Sequence, residues 1–370
     1  MNEKHIQEET LLPNIKELTR QQLTDVMADL GEPRFRAGQL HRWLYGMQAQ
    51  DFETMSSISI TLRSKLASTW AIRSASVLRA DCEAAETVSC SQMPTSKFLI
   101  HLPDGEQVES VLIPSEERMT ACISPQVGCP LHCSFCATGH MGFRRNLFAF
   151  EMTDQVYALE KEARNMYGRG LTNIVFMGMG EPLLNLDNVI EAIGTMTEKN
   201  YRFTIGEKRI SISTVGLVPG IRRLAESGLR TKLAVSLHSA DQQKREQLMP
   251  VAGEYPLDEL AKAIATYNEK TGQPITLVYM MLEGVNDTAD DARKLARYAK
   301  RVLCKINLID YNAIVNFQFK PACSDTKNSF VRQLLDAGLH VTVRKSQGAA
   351  INAACGQLAT LSGNGGSNPQ

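Results

Sequence analysis

Three cysteines stand within eight residues of one another in the segment CPLHCSFC, at positions Cys129, Cys133 and Cys136. Thiolates are soft ligands that favour iron–sulfur clusters and zinc. Three ligands at this C-x3-C-x2-C spacing, with no obvious fourth ligand beside them, leave one coordination position open, as catalytic metal sites do. The alternative is a closed structural zinc site whose fourth ligand is His132 or a distant cysteine. The spacing itself favours the open arrangement.

Other residues with binding chemistry stand directly after predicted strands, where the functional loops of parallel α/β barrels lie. Besides the cysteine triad, these segments are 177–182, 213–216, 236–238 and 311–312. Gly178 and Gly180 allow close approach of a ligand to the backbone, and Glu181 supplies a carboxylate for an amino group. Neutral hydrogen-bonding groups for a carboxylate, a ribose and an adenine come from Ser213, Ser236, His238 and Asn312. Either serine could instead cap the end of its strand.

Two cysteines outside the triad and one carboxylate stand in unusual contexts. Cys355 lies in AACGQ beyond the last predicted strand, where a loop would return over the mouth of a barrel, and Cys122 lies in the strand before the triad. Glu109 precedes an apolar run; burial there would raise its pKa and suit proton transfer, whereas an exposed strand face is the alternative. A lone cysteine is otherwise a small buried hydrophobe. We interpret four others in that way: Cys82, Cys90, Cys304 and Cys323.

The segments that must position these residues alternate between strand-like and helix-like patterns from residue 119 onward. Seven apolar or alternating runs predict strands over 120–124, 173–177, 209–214, 232–237, 276–282, 305–309 and 340–344. Helical spacing recurs between them near 151–166, 187–199, 218–227, 256–270, 287–302 and 327–337. Such alternation predicts a parallel sheet with crossover helices. The expected fold class is α/β, with an incomplete (β/α)6 barrel over residues 119–361.

Two smaller modules are expected before this barrel. Helical spacing over about 15–30, 37–48 and 60–69 predicts a helical module within residues 1–73. Short strands predict a small antiparallel β connector over 74–118, and residues 362–370 are predicted to be a disordered tail. Residues 33–73 carry six Lys or Arg against two acidic residues. This local excess either binds phosphates or forms a solvated helix face.

Composition places the chain among ordinary soluble globular proteins. It has 370 residues, of which 43 % are apolar and 22 % charged, and its 40 basic residues balance 40 acidic ones. No apolar run is long enough to span a bilayer, and the polar, acidic N-terminus does not resemble a signal peptide. We therefore expect a cytoplasmic location. Nine cysteines in such a chain indicate metal-binding or catalytic thiols rather than a disulfide framework.

Taken together, these segments resemble the radical S-adenosylmethionine (SAM) RNA adenine methyltransferases of the RlmN/Cfr family. The resemblance spans about residues 11–361 and is carried by FRAGQLHRWLY, QVESVLIP, CISPQVGCPLHCSFCATG, MGMGEPLLN, ISTVGLVPG, SLH, CKINLI and NAACGQL. The last string combined with the cysteine triad is highly specific, because other radical-SAM enzymes are not expected to have both. Residues 317–323 and 348–352 depart from the family pattern, the latter by lacking acidic residues.

The resemblance implies a role for each candidate residue. The cysteine triad would hold one [4Fe–4S] cluster per chain, whose fourth iron binds SAM. Residues that match SAM-contacting positions are Gly180, Glu181, Ser213, Ser236, Leu237, His238 and Asn312. Cys355 would be methylated by one SAM; a 5′-deoxyadenosyl radical from a second SAM would then activate that methyl group for addition to adenine. Glu109 would accept a proton, and Cys122 would attack the Cys355 sulfur, forming a disulfide and releasing the methylated base.

The activity implied is methylation of adenosine C2 in 23S rRNA, at the peptidyl-transferase centre, and in tRNA, next to the anticodon. Adenine C2 lacks nucleophilic character, so radical addition through a carrier cysteine suits it better than polar methyl transfer. The resemblance further implies RNA binding by the helical module, a flavodoxin-type electron donor, a monomer and no membrane partner. The nearest alternative methylates C8 of the same rRNA adenosine. An alternative of another class is a non-catalytic iron–sulfur or zinc RNA-binding protein.

Overall fold

The computed structural model describes residues 12–84, 93–201, 203–314, 317–344 and 346–360. The tail expected at 362–370 and the lone Cys90 lie outside the described residues. The chain divides into two compact units. The first unit comprises Met1–Ser74 and Glu198–Thr204, and the second comprises Ala75–Thr197 and Ile205–Gln370.

The first unit is helical, as its apolar spacing predicts. Its helices are α1 (Arg20–Asp29), α2 (Phe35–His41), which continues into a π-helical turn over Arg42–Gly46, and α3 (Ile60–Thr69). Ile15–Glu17 form a separate 3-10 turn. Thr19 caps the N-terminus of α1, because its side chain accepts a hydrogen bond from the amide of Gln22. The single helix predicted over 15–30 is therefore two elements.

The second unit is built on one large sheet. The described strands are β1 (Ser76–Cys82), β2 (Ser96–His101), β3 (Gln107–Pro114), β4 (Met119–Ile123), β5 (Gln126–Gly128), β6 (Phe143–Asn146), β7 (Asn173–Phe176), β8 (Ile210–Thr214), β9 (Lys232–Ser236), β10 (Ile275–Met281), β11 (Cys304–Asp310) and β12 (Val341–Arg344). Ten of these strands form a sheet in the order β1-β2-β3-β4-β7-β8-β9-β10-β11-β12. Neighbours from β4 to β12 are parallel. Each of these seven parallel strands matches a predicted one to within one residue at either end.

Helices connect the parallel strands. The helices of this unit are α4 (Ala137–His140), α5 (Ala149–Tyr167), α6 (Leu186–Met196), α7 (Val218–Glu226), α8 (Gln242–Leu248), α9 (Leu257–Thr271), α10 (Ala289–Ala299) and α11 (Ser324–Asp336). All but the short α4 and α8 were predicted from helical spacing. Strand side chains such as Ile212, Val235 and Leu277 are at most 1 % exposed, which is typical of a parallel sheet covered by helices. The expected α/β class with an incomplete (β/α)6 barrel is confirmed. None of the described helices combines the length and apolar character needed to cross a membrane.

The segment predicted as a β connector is continuous with the large sheet. Strands β1, β2 and β3 are antiparallel neighbours, and β3 also pairs antiparallel with β4, so that Val111 lies opposite Cys122. Residues 74–118 thus supply one edge of the sheet rather than a sheet of their own. A separate two-stranded sheet of β5 and β6 flanks the cysteine triad. With only three or four residues each, β5 and β6 are too short to be predicted from apolar periodicity.

Candidate active site

The cysteine triad lies between β5 and β6 in a loop that backbone contacts hold in place. Gly128 has a φ of 73°, and a Cβ there would lie 1.8 Å from the carbonyl oxygen of Gly142. Only glycine fits such a position. The amide of Cys129 donates to the same carbonyl oxygen at 3.0 Å, and farther along the loop the amide of Ser134 donates to the carbonyl oxygen of Leu248 at 2.9 Å.

The triad lies in an apolar environment that raises the pKa of Cys129 and of Cys133. Cys133 is 6 % exposed and belongs to a buried cluster that includes Phe135 and Met280. Burial, with the charge of Cys136, raises the pKa of Cys129 to about 12. Burial also raises the pKa of Cys133 well above its usual range, and the two other triad thiols add to this rise. A bound metal reverses such a penalty because coordinated thiols are deprotonated, so this donor set fits a cationic cluster.

The neighbourhood of the triad also bears on the zinc alternative. Across the described ranges, no group of three His, Cys, Asp or Glu side chains is close enough together to hold a single metal ion. In an iron–sulfur cluster of four irons, by contrast, each thiolate binds a different iron atom. His132, considered above as a fourth zinc ligand, places Nδ1 at 3.1 Å from the carbonyl oxygen of Gly139.

Two glycines after β7 are required by close packing. A Cβ at Gly178 would lie 2.5 Å from Ser124 Oγ, and one at Gly180, where φ is 100°, would lie 2.5 Å from Gln126 Cβ. Gln126 Oε1 also accepts the amide of Glu181 at 2.7 Å. Sequence reasoning missed Ser124 and Gln126 as supports of this loop, although both stand in the string CISPQVGC beside the triad.

Glu181 joins the loops that follow β7 and β8. Its carboxylate accepts the amide of Leu183 through Oε1 at 3.1 Å and the amide of Val215 through Oε2 at 2.9 Å. Only 3 % of the residue is exposed, and burial raises the pKa of Glu181 to about 7. An amino group placed beside it would favour the ionised carboxylate.

The other cofactor-binding candidates lie at the carboxyl ends of neighbouring strands. Ser213 and Ser236 are half-buried near the ends of β8 and β9, and neither hydroxyl has a hydrogen-bond partner within the described part of the chain. Leu237 is fully buried, and its amide donates to the carbonyl oxygen of Val278 at 2.9 Å. Asn312 follows β11 and is 7 % exposed. These groups therefore reach the same edge of the sheet.

His238 is held as a neutral imidazole. It has a φ of 52°, and its Nδ1 accepts the amide of Met280 at 3.1 Å, which leaves the ring proton on Nε2. Burial lowers the pKa of His238 to about 3. Asn286 fixes the backbone by donating Nδ2 to the His238 carbonyl oxygen at 2.6 Å, and the ring packs edge-on against Phe135. The Nε2–H group remains a donor for a bound ligand.

The loop that carries Cys355 is tied to the triad loop and to β11. The amide of Ala137 donates to the carbonyl oxygen of Gly356 at 2.8 Å, and Thr138 Oγ1 donates to that of Leu358 at 2.6 Å. Asn312 Nδ2 donates to the carbonyl oxygen of Cys355 itself at 3.3 Å. Cys355 is therefore held beside the triad although it follows Cys136 by more than two hundred residues.

The Cys355 thiol interacts electrostatically with Cys136 of the triad and with Cys122. Part of the residue is exposed, but the protein atoms that surround its thiol, with the charge of Cys136, raise the pKa of that thiol. Burial and the charge of Cys355 in turn raise the pKa of Cys122 to about 12, while Arg344 acts on both thiols in the opposite direction. All eight described cysteines are free. The disulfide that the resemblance implies between Cys122 and Cys355 is therefore not present in this structure.

Glu109 is buried, which decides between the two interpretations of its position. Only 3 % of the residue is exposed, and burial raises its pKa. Its Oε1 lies 2.9 Å from Nζ of Lys97, and its Oε2 accepts the amide of Ala359 at 2.9 Å. Both contacts oppose the rise in pKa. Ala359 belongs to the loop that carries Cys355, so Glu109 and Cys355 lie in one neighbourhood.

The interpretation of lone cysteines as small buried hydrophobes is wrong for Cys82 and Cys323, which are exposed. Cys82 ends the edge strand β1, and Cys323 precedes α11, where its Sγ lies 3.2 Å from Oγ1 of Thr326. Cys304 is only half-buried. The residue type alone does not distinguish a sheet edge or a helix start from the core.

A partial parallel barrel with a three-cysteine loop after its first strand, and candidate ligand-binding groups after the next strands, is the arrangement of a radical-SAM enzyme. The sequence model of the radical SAM superfamily matches residues 123–299. That of the ribosomal RNA large subunit methyltransferase N-terminal domain matches residues 13–72.

Whole-chain relatives specify the family. The probable dual-specificity RNA methyltransferase RlmN of Chlorobaculum tepidum is 66 % identical over 347 residues, covering 94 % of this chain and 93 % of its own. Its counterpart from Pelodictyon phaeoclathratiforme is 56 % identical over 94 % of this chain and 97 % of its own. The crystal structure of a radical SAM methyltransferase from Sphaerobacter thermophilus is 39 % identical, with a TM-score of 0.82 over 94 % of this chain and 99 % of that one. The chain therefore belongs to the RlmN family of radical-SAM RNA methyltransferases, which confirms the resemblance seen in its motifs.

Proposed function

We propose that this protein methylates C2 of adenosine in 23S rRNA, at the peptidyl-transferase centre, and in tRNA, next to the anticodon. The observation that supports the proposal is that Ala137, Thr138 and Asn312 hold the loop of Cys355 against the triad loop, where the Cys355 thiol also acts on Cys122. Relatives named dual-specificity RNA methyltransferases support RNA as the substrate. The enzyme acts in the cytoplasm as a monomer and takes electrons from a flavodoxin-type donor.

The triad would hold one [4Fe–4S] cluster, and SAM would bind beside it. The SAM-binding residues are Gly180, Glu181, Ser213, Ser236, Leu237, His238 and Asn312. When bound, the cluster and SAM would supply the one-electron chemistry that activates an otherwise inert methyl group. Glu181 accepts a hydrogen bond from the amino group of SAM, and the Nε2–H of His238 donates to a ligand acceptor.

The remaining steps of the reaction are assigned to individual residues around the adenine. Cys355 loses its thiol proton and takes a methyl group on sulfur. The one-electron chemistry of the cluster and SAM would remove one hydrogen atom from that carbon and, once the carbon has bonded to C2, one electron. Glu109 accepts the proton that C2 loses. Cys122, as a thiolate, then attacks the Cys355 sulfur and forms a transient S–S bond. The S–C bond breaks with its electron pair on carbon, which takes up a proton equivalent to the one that Cys122 released, and the methylated base leaves. Arg344 assists the ionisation of Cys122 and Cys355, because its charge opposes the rise in pKa of both thiols.

Mass spectrometry of nucleosides tests the proposal. Cluster-loaded protein is incubated without oxygen with SAM, a reductant and unmethylated 23S rRNA or tRNA. We expect 2-methyladenosine in both RNAs and 5′-deoxyadenosine in the supernatant. Formation of 8-methyladenosine without 2-methyladenosine would refute the C2 assignment in favour of C8. A protein that binds RNA but releases no 5′-deoxyadenosine would belong to the non-catalytic class.

A further inference from the structure

A buried ion pair joins β2 and β3 close to the reactive cysteines. Nζ of Lys97 lies 2.9 Å from Oε1 of Glu109, and only 10 % and 4 % of the two side chains are exposed. Lysine is almost never buried unless it is paired, since desolvation of an ammonium group is costly. The function proposed above uses Glu109 but gives Lys97 no part.

The register of the sheet places this pair on the face that carries Cys122. Lys97 lies opposite Val111, and Val111 lies opposite Cys122. Residues directly opposite each other share a face of the sheet, as do residues two apart along one strand, such as Glu109 and Val111. The side chains of Lys97, Glu109 and Cys122 therefore project from the same side.

The second carboxylate oxygen of Glu109 contacts the loop that carries Cys355. Oε2 accepts the amide of Ala359 at 2.9 Å. A continuous series of contacts thus runs from Lys97 through Glu109 to the loop of the methyl-carrying cysteine. The pair therefore lies on the sheet face of Cys122 and contacts the loop that carries Cys355.

We propose that Lys97 is a positioning residue for RNA methylation: it holds Glu109 as a carboxylate beside the adenine, ready to accept the proton that leaves C2. This inference rests on the proposed function. Lys97 retains its own proton throughout the reaction. Only Glu109 gains a proton, and no bond to Lys97 forms or breaks.

The electrostatic environment of Glu109 explains why it needs this partner. Burial favours the neutral carboxylic acid, which has no capacity to accept a proton. Lys97 and the amide of Ala359 oppose that effect directly. The other charge that acts on Glu109 is Arg79 on β1, whose side chain is 61 % exposed and pairs with Asp81. Solvent screens such an exposed charge far more than a buried one. Lys97 is therefore the charge that keeps Glu109 ionised.

The pH dependence of single-turnover methyl transfer to 23S rRNA, measured with cluster-loaded enzyme between about pH 6 and pH 9, tests the inference. The rate requires ionised Glu109 and therefore rises with pH through the pKa of this group. Lys97→Met removes the opposing charge and raises that pKa, so the acidic limb of the profile moves to higher pH. At a fixed pH at which the rate still rises with pH, displacing the acidic limb to higher pH by one unit lowers the rate about tenfold relative to the wild type. Lys97→Arg, which keeps the charge, retains the wild-type limb.

Arg79→Met is the matched control, because it removes a cation from an exposed position near the same carboxylate. Its profile stays that of the wild type. An unchanged profile in Lys97→Met, an equal displacement in Lys97→Arg or an equal displacement in Arg79→Met overturns the inference. Release of 5′-deoxyadenosine without RNA stays at the wild-type rate in Lys97→Met, and its loss also counts against a role limited to Glu109. A wild-type enzyme that forms no 2-methyladenosine refutes the proposed function instead.

Thermal unfolding provides a readout that does not depend on turnover. Lys97→Met leaves a buried carboxylate unpaired, whereas Lys97→Met combined with Glu109→Gln leaves no net charge. The double variant should therefore have a higher melting temperature than Lys97→Met alone. Independent, additive losses in Lys97→Met and Glu109→Gln would show that the two side chains are not coupled, and would overturn the inference even where Lys97→Met is too unstable for kinetics.

Discussion

At the scale of single residues, the protein environment raises the pKa of the Cys122 and Cys355 thiols. The pKa of Cys122 is raised to about 12 and that of Cys355 is raised as well, so both are protonated near neutral pH. A protonated thiol is a poor nucleophile and a poor target for adventitious oxidation. We infer that each thiol reacts only when a partner is placed beside it, which agrees with roles at different times.

Variants of these two cysteines should separate the order of their roles. Cys355→Ala lacks the methyl carrier and should never join carbon to RNA. Cys122→Ala should form the bond to adenine but fail to release it, which leaves protein joined to RNA through Cys355. A denaturing gel after anaerobic turnover with labelled RNA measures this difference.

The exposed Cys323 provides the control for that gel, because Cys323→Ala should turn over like the wild type without a crosslink. A nuclease-sensitive shifted band is expected for Cys122→Ala alone. If Cys355→Ala also gave this band, or if neither variant did, the assigned order of the two thiols would be wrong.

At the scale of elements, the loops that follow β7 and β9 at the carboxyl edge of the sheet are supported by neighbouring segments. Glu181 after β7 accepts the amide of Val215 after β8, and His238 after β9 accepts the amide of Met280 in β10. Gln126 supports the β7 loop through the amide of Glu181. Such contacts fix the site before a ligand binds, which reduces the cost of ordering it.

Glycine substitutions should show how closely these loops are packed. In Gly180→Ala, the new Cβ meets Gln126 in a backbone with a φ of 100°. We expect a loss of about 3 kcal/mol in the free energy of unfolding and much weaker SAM binding. Gly194→Ala in α6, where the Cβ meets no atom within 4 Å, should instead stabilise the protein by about 0.5–1 kcal/mol. Urea unfolding and calorimetric titration with SAM measure both; wild-type SAM affinity in Gly180→Ala would contradict the packing argument.

At the scale of the whole molecule, charge is distributed unevenly between regions of a chain with no net charge. In the first unit, Arg34 and Arg42 are exposed. Arg36 is partly committed to structure, since its Nη1 donates to Gln39 Oε1 at 2.7 Å and to the Ser57 carbonyl oxygen at 3.2 Å. Of the three arginines, Arg34 and Arg42 are therefore the better candidates for phosphate contacts.

Removal of those two charges should change how RNA affinity depends on salt. Each phosphate contact that is lost lowers the slope of log affinity against log salt by about 0.7–0.9. Arg34→Gln with Arg42→Gln should therefore flatten the slope by about 1.4–1.8, while 5′-deoxyadenosine release without RNA is retained. Filter binding over a range of salt concentrations measures the slope. Arg293→Gln with Arg297→Gln, on exposed positions of α10, is the control. An equal flattening in this control would favour the interpretation that Arg34 and Arg42 belong to a solvated helix face.

The sequence by itself determined the elements and the residue types of the site. Apolar periodicity is a local property, so it predicted the seven parallel strands and their crossover helices closely. The spacing of Cys129, Cys133 and Cys136 is local as well, and so is the placement of Glu181 or His238 after a strand. These signals, with the motif around Cys355, were sufficient to recognise the family.

Only the tertiary structure decided which distant residues became neighbours. The pairing of β3 with β2 and β4 places Glu109 beside Lys97 and on the same face as Cys122, and this register depends on contacts between strands rather than on any one segment. Hydrogen bonds from Ala137 and Thr138 to backbone carbonyl groups place the loop of Cys355. Every residue has a backbone carbonyl group, so the sequence does not show which of these groups will accept a hydrogen bond. The burial of Glu109 and the exposure of Cys82 were undetermined for the same reason: solvent exposure is a property of the assembled sheet, not of a side chain and its immediate neighbours in sequence.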